Sequence, residues 1–129
     1  MSTSRNLQDA KLTLAVELKA GAGTEYSDAV YLGTGPHREN LEIELQLPEL
    51  NATELPDSTE QAISIVAGND EEPTDVVSQE LVAEGEASGA LTARVKIPST
   101  AGPYIRLKAT AVGSTTNAAE KVAVAKVLG

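Results

Sequence analysis

A chain of 129 residues with no cysteine and a net charge of −9 is expected to fold as one domain without disulfides, and its acidity disfavours nucleic acid and anionic membrane as direct partners. There is no Phe and no Trp, and Tyr26, Tyr31 and Tyr104 are the only aromatics. Leu, Ile, Val and Ala must therefore fill the core, and the usual aromatic platforms for sugars and single-stranded nucleic acid are lacking.

Residues 1–10 are polar and read as a flexible N-terminal arm, with the folded domain spanning 11–129. The opening MSTSRNLQDAK has no apolar h-region, and no apolar run approaches the ~20 residues of a membrane span. The expectation is a soluble protein made in the cytoplasm.

From there the chain alternates apolar and polar residues with period two, the pattern of half-buried strands. KLTLAVEL (11–18) places Leu12, Leu14, Val16 and Leu18 on one face. A short strand is expected over 29–32. NLEIELQL (40–47) turns Leu41, Ile43, Leu45 and Leu47 inward and Glu42, Glu44 and Gln46 outward. QAISIVA (61–67) is apolar on both faces, as a central strand is. VVSQELVA (76–83) follows. ALTARVKI (90–97) points Leu91, Ala93, Val95 and Ile97 inward, and YIRLKATA (104–111) does so with Ile105, Leu107, Ala109 and Ala111. KVAVAKVL (121–128) is read as strand rather than helix because Val122, Val124 and Val127 are β-branched. The segments between, such as GAGTEYSD, GTGPHRE and GNDEEPTD, carry turn residues.

Eight strands joined by such turns predict an all-β fold, a two-sheet antiparallel sandwich with the strand count of an eight-stranded jelly roll. That order pairs the third strand with the sixth and the eighth. Glu42 and Glu44 of the third would then face Arg94 and Lys96 of the sixth. Charge is also uneven along the chain: there is no Lys or Arg from Glu39 to Ala93, and Glu120 is the sole acid from Ala87 onward. Either the two halves neutralise each other within the fold, or they form a bipolar docking surface.

Motifs of chemistry are weak. His37 is the single histidine, in a turn, with no Cys to complete a nucleophile or a zinc site. No G-x-S-x-G elbow is present. Gly33-Thr34-Gly35 lacks the third glycine and the helix of a dinucleotide fingerprint. Asn69, Asp70, Glu71, Glu72 and Asp75 could offer oxygens to calcium, but the spacing is not an EF-hand and Pro73 interrupts it, so a solvated turn is expected. Asn51-Ala52-Thr53 fits the glycosylation acceptor and is read as chance. These features predict no enzyme, no cofactor and no metal.

Three pieces taken in order resemble a known family: YLGTGPHRENLEIELQLPEL, ELPDSTEQAISIVAGNDEEP and ARVKIPSTAGPYIRLKATAVG. Together they are similar to the jelly-roll cement, or decoration, proteins of tailed bacteriophage capsids, over residues 26–128. The run Tyr104-Ile105-Arg106-Leu107 after a proline-containing turn is the most telling piece. The resemblance implies a structural virion protein on the capsid surface. It would be a homotrimer that binds the outside of the head lattice and bridges major capsid protein subunits. It carries over no site residue. Arg5 and Lys11, away from the acidic middle of the chain, are the interface candidates. The alternative is a β-sandwich carbohydrate- or ligand-binding module of an adhesin or phage fibre.

Overall fold

The computed structural model describes residues 13–18, 21–31, 42–97, 103–113 and 121–128. Among these there is no helix and there are ten strands: β1 (Thr13–Glu17), β2 (Gly23–Tyr26), β3 (Val30–Tyr31), β4 (Glu42–Leu47), β5 (Glu60–Gly68), β6 (Asp75–Val76), β7 (Leu81–Glu84), β8 (Leu91–Lys96), β9 (Tyr104–Val112) and β10 (Val122–Val127). All pairings are antiparallel and make two sheets. The first runs β1-β10-β4-β8; the second runs β2-β9-β5-β6, with β3 also on β9 and β7 also on β5.

The period-two reading holds at residue level. Ile43, Leu45, Ile63, Ile65, Ile105 and Leu107 are all 0% exposed, and they lie between the sheets with Leu14, Val16, Ala123, Ala125 and Val127. Val95 and Ile97 join them, while Leu41 falls outside the described residues. β5 is buried on both faces from Gln61 to Ala67, as expected of a strand with neighbours on each side. With no large aromatic to fill the core, Leu47 at the end of β4 and Leu50 and Leu55 beyond it complete the core.

The count of eight strands is corrected to ten. β2 lies inside GAGTEYSD, which reads as a turn from its composition, and the segment 76–83 is broken into β6 and β7. Both differences have one physical cause. Each border of the second sheet is a single path interrupted by a bulge. Along β9 the register slips by one residue between Tyr26↔Lys108 and Val30↔Ile105. At the slip Ser27 fills the gap: its N–H donates to Leu107 O at 2.9 Å, and its Oγ accepts from Leu107 N–H at 2.8 Å. Along β5 the register slips by two residues between Ile63↔Leu81 and Val66↔Val76. There Ser78 Oγ accepts from Ile65 N–H at 2.9 Å, and Val77 N–H donates to Ile65 O. Ile65 and Leu107 are themselves paired, so the two serines interrupt opposite borders at the same row.

The third predicted strand, β4, does lie between the sixth and the eighth, β8 and β10. Its register sets Glu42 opposite Lys96 and Glu44 opposite Arg94, with Lys126 on the other side of Glu44. The acidic middle of the chain is thereby interleaved with the basic C-terminal part: β4 sits between β10 and β8, and β5 beside β9. This arrangement favours the reading in which the two halves neutralise each other. Reversing Arg94 and Lys96 to Glu should destabilise the domain by about 0.2–1 kcal/mol per pair, and reversing Glu42 and Glu44 to Lys in the same chain should restore it. A double-mutant cycle in urea measures this. Simple additivity would show that the facing charges do not interact.

Candidate functional site

The outer face of the second sheet carries a feature that the composition alone hides. Along β9 the outward residues are Tyr104, Arg106, Lys108 and Thr110, alternating with the buried Ile105, Leu107, Ala109 and Ala111. β3 brings Tyr31 opposite Tyr104, and β2 brings Tyr26 opposite Lys108. The Tyr31 and Tyr104 rings pack with centroids 5.1 Å apart at an interplanar angle of 58°. The Arg106 guanidinium lies 3.8 Å from the Tyr26 ring centroid, a cation–π contact, and its Nε donates to Pro73 O at 2.9 Å. All three aromatics of the chain therefore sit on one sheet face around a clamped arginine. Tyr31 is 50% exposed there.

The clamp has a structural role as well. Pro73 is buried, and the loop it belongs to folds back on β5 and β9 where Val66 pairs with Arg106. That explains why Val66, on the outer face, is 0% exposed. The acidic turn in this loop closes on itself, with Glu72 N–H donating to Asp70 Oδ1 at 2.9 Å. Among the described residues no cluster of acidic or histidine side chains has metal-binding geometry.

A second feature lies at the sandwich end beyond β4. Leu50 bridges to Ser88, and a shallow crevice there is lined by Glu49, Asn51, Glu54, Ser88 and Lys121. Asn51 Oδ1 accepts from the N–H groups of Thr53 and Glu54, and Glu54 Oε1 accepts from Asn51 N–H, a reciprocal capping arrangement. Lys121 Nζ donates to Glu49 O at 3.1 Å and lies 3.6 Å from Glu54 Oε1. These groups satisfy one another. None of them forms a nucleophile–base pair, so the crevice has the chemistry of a braced turn.

One buried group is not satisfied. Gln61 is 1% exposed, on the inward side of β5 between Ala83 and Ala111, and neither its Nε2 nor its Oε1 has a hydrogen-bond partner. It does not line the crevice at Lys121.

Of the residues singled out from the sequence, Arg5, Lys11, His37 and the Gly33-Thr34-Gly35 run lie outside the described residues. The outward positions of Arg106 and Lys108 were readable from the alternation in YIRLKATA. The gathering of Tyr26 and Tyr31 beside them was not, because it depends on pairings across about eighty residues of chain. No protein-family model matches the chain, and no curated protein sequence matches it significantly.

Proposed function

We propose that this chain is a cement, or decoration, protein of a tailed-bacteriophage head, a homotrimer that binds the outside of the assembled lattice and bridges major capsid protein subunits. The observation that carries the reading is the strand order. β1-β10-β4-β8 faces β2-β9-β5, with β6 and β7 both on the far side of β5, and this order is compatible with the interleaving expected of a jelly roll. It supports the resemblance of residues 26–128 at the level of architecture. The physics is compatible. A sandwich with inextensible sheets transmits load, many weak contacts add up on a lattice, and an acidic exterior keeps the free protein soluble. The reading needs no cofactor, no catalytic group, no membrane and no direct contact with nucleic acid. Arg5 and Lys11 are its candidate lattice anchors.

Cosedimentation with shells that lack the protein tests this reading. Saturable binding is expected, and removal of residues 1–10 should weaken it while leaving the melting transition of the free domain in place. Absence of bound copies at any concentration sinks the proposal.

The three tyrosines favour a second reading, a carbohydrate- or ligand-binding module of an adhesin or phage fibre. The exposed Tyr31 packs on the half-buried Tyr104 beside Arg106, the kind of surface that stacks on a sugar ring. Binding to a glycan array that Tyr31→Ala abolishes, together with no binding to shells, would establish it instead.

A further inference from the structure

We infer that the open border of β8 accepts an extended acidic segment of a partner protein as an added strand. The inference stands apart from the shell reading, because it rests on how the borders of the two sheets differ.

Both borders of the second sheet are interrupted by the bulges at Ser27 and Ser78. A bulged, broken border is a poor template for another strand, which is how many sheet proteins avoid unwanted pairing. β8 is unlike them. It runs six residues without a break, pairs with β4 on one side and, among the described residues, has no strand on the other. Among the described residues its backbone on that side pairs with no strand.

The side chains on β8 say what would fit. On the inward face Leu91 and Ala93 are only half-buried, although their partners on β4, Leu47 and Leu45, are fully buried. The apolar lining of the sandwich thus reaches the border and stops there half-covered. On the outward face Thr92, Arg94 and Lys96 are exposed. Rows of charge cross the sheet toward them: Lys126, Glu44, Arg94 in one, and Glu42, Lys96 in the next. The signs alternate, and each row ends on a cation at the open border. Neither Arg94 nor Lys96 makes an ion pair among the described residues. A strand added here with apolar residues inward and acidic residues outward would continue both patterns. Its backbone would supply affinity, and its alternating side chains would supply choice of partner. That is the chemistry β4 already presents to β8 from the inner side.

A labelled octapeptide NLEIELQL, copying residues 40–47, is therefore a suitable probe for the full chain. Titration followed by fluorescence anisotropy should show saturable binding, and hydrogen exchange should slow at the amides of β8. The peptide with both glutamates changed to lysine, NLKIKLQL, should bind at least tenfold more weakly. Ala93→Lys, which puts an inward-pointing charge on the border, should abolish binding. If that variant fails to fold, the two peptides on the unaltered protein decide alone. Equal binding of both peptides, no binding of either, or protection confined to strands other than β8 overturns the inference.

Discussion

Replacing Leu107 by alanine is expected to destabilise the domain by about 2–5 kcal/mol, as is replacing Ile43. Both side chains are 0% exposed. Leu107 sits mid-strand in β9, held by β5 on one side and by the Ser27 bulge on the other. Ile43 sits in β4 between Val95 and Val127. Neither backbone is free to move into the space left by the three carbons lost beyond Cβ, so a cavity persists and its cost adds to the lost transfer energy. Val112→Ala, at the 51% exposed end of the same β9, is the control, expected to stay within about 0.5 kcal/mol. Urea unfolding with an unchanged m-value reads all three. A loss below about 0.5 kcal/mol for both core variants would show the strand faces to be misassigned.

Gln61→Met is expected to act in the opposite direction and stabilise the fold by about 1–3 kcal/mol. A buried amide with neither donor nor acceptor paired forfeits its hydration without return. Methionine has nearly the same length and enough freedom to fill the same space without polar atoms. Thermal unfolding should show a rise of several degrees. A lower melting temperature would mean that the amide finds a partner in solution, such as a bridging water.

The parts of the fold legible in the sequence are those in which one face is apolar and the register is local. β1, β4, β8 and β9 each alternate cleanly, β10 was legible only through its β-branched valines, and the acidic outward set of β4 pointed to basic neighbours that the register now supplies. What failed was composition-based punctuation. Gly23-Thr24-Glu25-Tyr26 looks like turn because it starts at glycine, yet pairing with Ala111 through Lys108 on β9 holds it as strand. VVSQELVA looks continuous, yet the Ser78 hydroxyl takes the place of a ladder bond at Ile65 and splits it. In both places a tertiary contact overrides local propensity. The tyrosine face was illegible for the related reason that Tyr31 meets Tyr104 only through the sheet. Gln61 gave no warning either, since QAISIVA announces a strand buried on both sides without saying that its one amide lacks a partner.

The functional account stands most directly on a single measurement, the temperature at which assembled shells rupture. Shells lacking this protein are heated with and without saturating amounts of it, and release of contents is followed by light scattering or dye access. A cement protein bridging neighbouring subunits should raise the rupture temperature, and the gain should follow the bound copy number found by sedimentation. Rupture at the same temperature in both samples would contradict the account and leave the tyrosine face as the leading candidate for what this domain binds.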